Sequence, residues 1–98
     1  MKYILIKITK STRKDKKLMA IFENTTTNRR KTTHFGAAGM SDYTIHKDPK
    51  RKQRYISRHR KNENWNDPTS AGSLSRYVLW GLPTLKASIL DYKTRFGF

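Results

Sequence analysis

The first third of the chain alternates between two sets of side chains with the period of two that is typical of a β-strand. In "KYILIKIT" the isoleucines Ile4, Ile6 and Ile8 share one side and oppose Tyr3, Leu5 and Lys7. The stretch "KLMAIFE" repeats the alternation with Leu18, Ala20 and Phe22. After the turn-rich "NTTTNRR", the stretch "KTTHF" at 31–35 favours a shorter third strand. The pattern predicts a three-stranded antiparallel meander, which ends at the two glycines of "GAAGMSDY".

The rest of the chain has helical spacing and helix-start signals. Asp48 ahead of Pro49 predicts a first helix from there to about Asn62, because aspartate caps helices and proline suits the first helical position. Asp67 and Pro68 predict a second helix, in which Ala71, Leu74 and Val78 share a face and Gly81 takes a left-handed closing position. Pro83 and Thr84 open a third helix, whose core face is predicted to be Leu85, Ile89, Tyr92 and Phe96.

These elements place the chain in the α+β class. The expected architecture is a small three-stranded antiparallel meander followed by three helices. No linker, internal repeat or low-complexity tract interrupts it, so residues 1–98 are predicted to form a single basic domain.

Charge is the dominant compositional feature. The 98 residues carry 22 Lys and Arg against 7 Asp and Glu, a net charge of +15 with a pI near 10.5. A fold with this imbalance repels itself unless a polyanion lies nearby, so DNA, RNA or an anionic membrane surface is the expected partner. A domain of this size also favours a binding module over an enzyme with a deep cleft and a lid.

Several classes of protein are disfavoured. The longest apolar runs, "YILI" and "YVLWGL", are far shorter than the roughly 20 residues that span a bilayer, so no membrane insertion is expected. The start "MKYILIKITK" lacks the features of a secretory signal, which predicts a protein that is not secreted. The absence of cysteine excludes disulfides, cysteine zinc sites and thiol nucleophiles.

The strongest candidate for a binding element is "DPKRKQRYISRHRKN" at 48–62. On a helix, Lys50, Arg54, Arg58 and Lys61 follow one another at spacings of four, four and three, with Arg51 beside them. The opposite face, with Lys52, Tyr55, Ile56 and His59, is predicted to dock on the sheet. A solvated face kept for solubility requires neither one sign of charge nor one row of side chains, so contact with a nucleic-acid backbone is favoured. The apolar wedge is too small for a membrane-surface helix.

Basic loops extend the candidate interface. The two predicted hairpin loops contribute Arg13, Lys14, Lys16, Arg29 and Arg30 as further nucleic-acid-binding candidates. Exposed loops are often basic in any protein, so this signal is weaker than that of the helix. The spacing of Gly36 and Gly39 resembles loops that hold phosphates, but a tight turn from sheet to helix is the favoured interpretation. Trp65, between two helices, either stacks on a base or anchors its turn, and the anchor is favoured.

The three histidines raise the question of a small metal-dependent nuclease. His34 or His46 together with His59 and Asn62 could imitate such a site, but the spacing is not diagnostic and the acids are scattered. We therefore expect no catalytic residues, no metal and no cofactor, and we keep the nuclease as a remote alternative.

One set of motifs carries a family resemblance. The stretches "KTTHFGAAGMSDYTIHKD", "RYISRH", "ENWNDP", "AGSLSRYVLW" and "PTLKASILDYKTRF", within about residues 31–98, resemble a family of small basic, functionally uncharacterised proteins of nucleocytoplasmic large DNA viruses, the giant viruses. The resemblance implies a viral source, with the protein in the virion interior or the infected host cell. It adds no known activity or site residue.

Two functions follow as expectations. The first is a non-catalytic nucleic-acid-binding protein, with DNA favoured over RNA, that binds with little sequence preference or packages a genome. The alternative is a structural minor capsid or core protein whose partners are other virion proteins. The sequence leaves open the choice between duplex and single strand, and the oligomeric state.

Overall fold

The computed structural model describes residues 2–98 and places a three-stranded antiparallel sheet ahead of the helices. The strands are β1 (Tyr3–Lys10), β2 (Lys16–Asn24) and β3 (Arg30–Ala37), in the order β1-β2-β3. The predicted α+β class and meander are confirmed. The third strand extends further than predicted, since it continues through Gly36 to Ala37 instead of stopping before the glycine.

A β-bulge at Ile6 changes which side chains of β1 face the core. The Cα partners on either side of it are Leu5 with Phe22 and Lys7 with Ile21, so Ile6 has no partner of its own. An extra residue in one strand reverses the alternation beyond it. Leu5 and Ile8 therefore both pack against the core, while Ile4 and Ile6 are 46% and 38% exposed. The predicted grouping of Ile8 with Ile4 and Ile6 is wrong for this reason.

The core lies between one face of the sheet and the C-terminal helices. Ala20 and Phe22 of β2 are fully buried, as their alternation predicted. The remaining fully or nearly fully buried members of the cluster are Phe35, Leu74, Val78, Leu79 and Tyr92. The sheet therefore supplies one half of the core and residues from position 74 onward supply the other.

The helical half contains four α-helices and a π-helical segment. They are α1 (Tyr43–His46), α2 (Pro49–His59), α3 (Ala71–Leu74), which continues as the π-helical segment (Ser75–Leu79), and α4 (Leu85–Phe96). The three predicted helices correspond to α2, to α3 with the π-helical segment, and to α4. The single-turn α1 is an additional element, begun by the Asp42 carboxylate, which accepts the Thr44 N–H at 2.9 Å.

The start of α3 differs from the prediction. Ser70 is the capping residue, because its hydroxyl oxygen accepts the Ser73 N–H at 3.1 Å. Asp67 instead accepts the N–H and the hydroxyl of Thr69, which forms a turn before the helix. Ala71 is exposed as a result, whereas Leu74 and Val78 are buried as predicted.

Gly81 closes the π-helical segment by close packing and not by a left-handed conformation. The described glycines with positive φ are Gly36, Gly39 and Gly97, so the predicted left-handed position is wrong. A Cβ on Gly81 would lie 2.2 Å from the backbone oxygen of Tyr77. The position requires glycine because no side chain fits there.

The C-terminal helix α4 packs mainly through Tyr92. Tyr92 is fully buried, and Ile89 and Phe96 pack against the core beside it, in agreement with the predicted face. Leu85 is 38% exposed, so its inclusion in that face is wrong. Fully buried Ser88 lies there instead, where its hydroxyl bonds the Leu82 carbonyl at 3.0 Å and accepts the Leu82 N–H. Across residues 2–98 no helix has the length and apolar character needed to cross a bilayer.

Candidate nucleic-acid interface

Helix α2 presents a row of cations to solvent. The Asp48 carboxylate accepts the Lys50 N–H at 2.9 Å and Pro49 occupies the first turn, so the predicted start of this helix is confirmed. Lys50, Arg51, Arg54 and Arg58 are all exposed on the helix, and Lys61 is exposed in the turn that follows it. We call these five residues the basic ridge.

The carboxylates that the structure describes do not pair with the ridge cations. All seven have partners or capping positions: Asp15 with Arg13, Glu23 with Arg30, Asp42 with Lys17, Glu63 with His59, Asp91 with Arg95, Asp48 at the start of α2, and Asp67 in the turn before α3. Within residues 2–98 no carboxylate lies within 4.0 Å of a cationic group of the ridge. The ridge is therefore uncompensated, and its like charges at four-residue spacing weaken the isolated helix by a few tenths of a kcal/mol per pair.

The inner face of α2 is anchored by aromatic stacking. The Tyr55 ring lies parallel to the Trp80 indole, with centroids 4.3 Å apart and an interplanar angle of 4°. Burial raises the pKa of Tyr55 to about 12. The sequence predicted docking on the sheet, but the stacking partner comes from the end of the π-helical segment. A tryptophan 25 positions away cannot be identified as a partner from the spacing within one helix.

Lys52 fixes the same face by a polar contact. Its ammonium group donates to the Gly81 carbonyl at 2.6 Å and lies 5.0 Å from the Tyr43 ring centroid. Burial and the nearby Arg76 guanidinium lower the pKa of Lys52. This cation is part of the helix anchor and is not available to a ligand in the way that the ridge is.

Aromatic contacts continue on both sides of Tyr55 and Trp80, stacked on the Tyr55 side and tilted or edge-on on the Trp80 side. The His59 ring stacks on Tyr55 at 4.2 Å, and the His46 ring lies 5.2 Å from Trp80. Tyr43 follows His46 at 6.1 Å. This aromatic column of five rings lies beneath the ridge and holds α1 and α2 against the C-terminal half of the protein.

The loop between β1 and β2 lies on the same side as the end of α2. Lys16 and Arg58 line one cavity, so the structure brings these two predicted residues together. Lys14 is exposed in the loop itself, whereas Lys16, predicted to be in the loop, is the first residue of β2. Arg13 makes two hydrogen bonds to Asp15, at 3.1 and 2.8 Å, and the Arg13 guanidinium lowers the pKa of that carboxyl. Part of this loop's charge is therefore compensated.

The second hairpin loop lies at the other end of the sheet. Lys16 pairs with Ala37 at one end of the β2–β3 ladder and Glu23 pairs with Arg30 at the other. Seven residue steps of about 3.3 Å separate these ends by roughly 23 Å. The structure thus places Arg29 and Arg30 at the opposite end of the sheet from Lys16, and Arg30 is 3.7 Å from the Glu23 carboxylate.

The histidines occupy separate positions. His34 is on the sheet, where its Nδ1 lies 2.7 Å from the Ser11 hydroxyl, while His46 and His59 belong to the aromatic column. Within residues 2–98 no three His, Asp, Glu or Cys side chains are grouped closely enough to hold a metal ion.

The remaining candidates have structural partners. In the loop with the two glycines, the Ala38 N–H donates to the Asp15 carbonyl at 3.0 Å and the Met40 N–H to the Ala37 carbonyl at 3.2 Å. Those two amides are not free to hold a phosphate. Trp65 is partly buried, with the Arg76 guanidinium 5.5 Å from its ring centroid, which agrees with an anchor for the turn.

No curated protein and no solved structure matches this chain. One family model matches residues 6–59, from β1 to the last residue of α2, and so includes most of the basic ridge. Its match begins within the first strand, whereas the resemblance drawn from the sequence motifs began near residue 31. Because the model covers more than half of the chain, the protein belongs to DUF5754, a family of unknown function.

Proposed function

We propose that this protein binds nucleic acid without catalysis, with DNA favoured over RNA, through the basic ridge of α2. The observation that carries the proposal is the set of five exposed ridge cations with no carboxylate partner among residues 2–98. A row of unpaired cations on and directly after a helix suits a polyanion whose negative charges are regularly spaced, such as a nucleic-acid backbone.

The dimensions of the ridge agree with a phosphate backbone. Lys50 and Arg58 are eight residues apart, which on an α-helix corresponds to roughly 12 Å. Duplex DNA carries a phosphate about every 3.4 Å of axis along each strand, so the row spans three to four base-pair steps. Flexible Lys and Arg side chains can adjust to that spacing.

The proposed binding tolerates different sequences. Phosphate contacts set the position of a protein on nucleic acid but carry no direct sequence information. The exposed uncharged polar side chains between its cations are Gln53 and Ser57, so few groups are available there to read a base edge. The resemblance to basic proteins of large DNA viruses supports genome packaging as the use of such binding.

A structural role in a virion is the second candidate. It is supported by the exposed Ile4 and Ile6 on the face of β1 that points away from the core, since exposed branched side chains on a sheet suit contact with another protein. This candidate predicts incorporation into an assembly in the absence of nucleic acid.

Removal of two positive charges from the ridge, compared with removal of two from another helix, tests the proposal. Lys50→Gln with Arg54→Gln removes two ridge charges, and Lys86→Gln with Lys93→Gln removes two exposed charges from α4. Titration of both variants and the parent with duplex DNA, single-stranded DNA and RNA at two salt concentrations measures the affinities. We expect the ridge variant to bind about ten-fold more weakly and the α4 variant to stay within about two-fold of the parent.

Equal losses in the two variants would mean that only the net charge matters and would contradict an interface on α2. No measurable binding by the parent at low salt would overturn the proposal and favour the structural role. If the ridge contacts phosphates, the parent should bind duplexes of different sequence with similar affinity, and the ridge variant should lose affinity for all of them by about the same factor.

A further inference from the structure

A cavity of about 350 Å³ opens beside the end of the basic ridge. It lies between the end of the β2–β3 ladder and the helices α2 and α3. This volume falls at the lower end of the range for small-molecule sites, about 300–1,000 Å³, so the space suits a ligand the size of one nucleotide. The lining includes Lys16, Phe35, Tyr55, Arg58, Glu63 and Trp80.

Aromatic side chains form one wall of the cavity. Tyr55 and Trp80 stack face to face, and His59 covers the other face of Tyr55, so these rings are held rigidly. His59 is the terminal ring of the column and its side chain is 40% exposed. A planar base can therefore stack on the outer face of His59 or pack against the neighbouring ring edges without reordering the wall.

Two cations border the cavity without a carboxylate partner. Lys16 and Arg58 both line it, and neither is in an ion pair in the part of the chain that the structure describes. Lys17 also lines it, but its ammonium group lies 2.6 Å from the buried Asp42 carboxylate. Lys16 and Arg58 are therefore the groups able to hold a phosphate, and Arg58 also belongs to the ridge.

Glu63 supplies a hydrogen-bond acceptor inside the lining. The only Lys, Arg or His nitrogen within 4.0 Å of it among residues 2–98 is His59 Nδ1, which is 3.6 Å from Oε1, longer than a hydrogen bond. A Cβ on Gly72 would lie 2.0 Å from Glu63 Oε2, so the Glu63 carboxylate can occupy this position only because residue 72 has no side chain. Asp42, the other carboxylate of the cavity, already accepts from Lys17 and Thr44. Glu63 is the one with free capacity.

We infer that the cavity binds one unpaired base of a strand that lies along the basic ridge, and that the base carries an exocyclic amino group, as adenine and cytosine do. The amino group donates to Glu63, the ring packs against the aromatic wall, and Lys16 and Arg58 hold the adjoining phosphate. The inference rests on the proposed function and deepens it. It predicts tighter binding of single strands than of duplex. It also predicts tighter binding of adenine tracts than of thymine tracts, because thymine has no amino group and its ring N–H lies between two carbonyl oxygens that a carboxylate repels.

Filling the cavity tests the inference. Ala71 lines it and is exposed, so Ala71→Leu adds volume at the mouth at little expected cost to folding, and leucine suits a helix. Ala38 is exposed and lies outside the lining, so Ala38→Leu adds the same volume as a control. Oligodeoxyadenylate, oligothymidylate and the duplex of the two are titrated at one salt concentration, with folding checked by near-ultraviolet circular dichroism.

The parent and Ala38→Leu should prefer oligodeoxyadenylate to oligothymidylate by about ten-fold. Ala71→Leu should lose that preference and keep the parent's affinity for duplex within about two-fold. Glu63→Gln should also reduce the preference, to under about three-fold, because the neutral amide accepts more weakly. A folded Ala71→Leu variant that still prefers oligodeoxyadenylate overturns the inference. If Ala71→Leu does not fold, Ala37→Leu takes its place in the test, because Ala37 is exposed and lines the sheet side of the cavity.

The two proposals fail in different ways. If the cavity inference is wrong, Lys50→Gln with Arg54→Gln still weakens binding to all three nucleic acids, because neither residue lines this cavity. If the proposed function is wrong, the parent binds none of the three and the cavity inference falls with it. If Ala71→Leu loses the preference for oligodeoxyadenylate and Ala38→Leu keeps it, the result supports base binding in the cavity specifically.

Discussion

At the residue scale, His46 is held in its neutral form by its surroundings. Its Nδ1 accepts the Asp48 N–H at 3.0 Å, so the ring proton is on Nε2, which is buried without a hydrogen-bond partner. Burial lowers the pKa of His46, and the charge of Arg51 lowers it further. The other charged groups near the ring are Asp48, Asp42 and Lys17. A proton on Nδ1 would oppose the Asp48 N–H and weaken the start of α2.

This histidine makes the stability of the fold depend on pH. The unfolded chain protonates His46 below its ordinary pKa of 6.5, whereas the folded chain resists protonation until a lower pH. The contribution is therefore fully present above about pH 6.5 and is lost as the pH falls towards the lowered folded-state pKa. His46→Asn keeps an acceptor for the Asp48 N–H and should lose less stability than the parent between about pH 7.5 and 5.5. Equal losses in denaturant unfolding would contradict this role.

Gly81 and Gly39 illustrate two different physical reasons why a position requires glycine. Gly39 has φ +82 and open space around it, so Gly39→Ala should cost about 1–2 kcal/mol through the left-handed backbone alone. Gly81→Ala places a Cβ against the Tyr77 carbonyl oxygen and must shift the backbone, so we expect a loss of about 3 kcal/mol. Thermal or denaturant unfolding of both variants measures the difference. A smaller loss at Gly81 than at Gly39 would show that the close contact is easily relieved.

At the element scale, α4 provides a test of which helix face is core. Ile89 packs against the buried cluster, whereas Leu85 is 38% exposed. Ile89→Ala should reduce the free energy of unfolding by about 2–3 kcal/mol, and Leu85→Ala by less than about 1 kcal/mol. The two variants remove side chains of the same size from the same helix. Similar losses in both would mean that the predicted face, including Leu85, is the one that carries the packing energy.

The elements that could be predicted from the sequence are those specified locally. The alternation in β2 and the Asp48–Pro49 start of α2 depend on neighbouring residues, and both are present in the structure. The bulge at Ile6 depends on how β1 pairs with β2, and the absence of a side chain at Gly81 depends on the Tyr77 carbonyl. Such features arise from contacts between elements, which periodicity along one element does not report.

The candidate site also combines features that the sequence specifies locally with features that depend on contacts between elements. Four of the five ridge cations lie on α2 and Lys61 lies in the turn after it, so helical spacing was enough to group them, and the structure leaves them exposed. The cavity combines β2, β3, α2 and α3, and its Trp80 and Glu63 had no signal in the sequence that linked them to Lys16. Only the fold shows that Arg29 and Arg30 lie at the other end of the sheet from Lys16.

At the scale of the whole molecule, the net charge of +15 should make fold stability and nucleic-acid affinity respond to added salt in opposite directions. Added salt screens the repulsion among cations that the folded state brings together, so the free energy of unfolding should rise with ionic strength. Affinity for nucleic acid should fall over the same range, because counterions released into a more concentrated salt solution gain less entropy. Unfolding by urea at low and moderate concentrations of sodium chloride checks the first trend. A stability that falls with salt would show that attractive ion pairs outweigh the repulsion.

The most direct test of the central claim is the salt dependence of duplex binding in three proteins: the parent, Lys50→Gln with Arg54→Gln, and Lys86→Gln with Lys93→Gln. Each phosphate neutralised contributes about 0.9 to the slope of the logarithm of affinity against the logarithm of salt concentration. If Lys50 and Arg54 both contact phosphate, the ridge variant should have a slope flatter by about 1.8, and the α4 variant should keep the slope of the parent. A folded ridge variant with an unchanged slope would contradict the account and make the ridge a solvated surface.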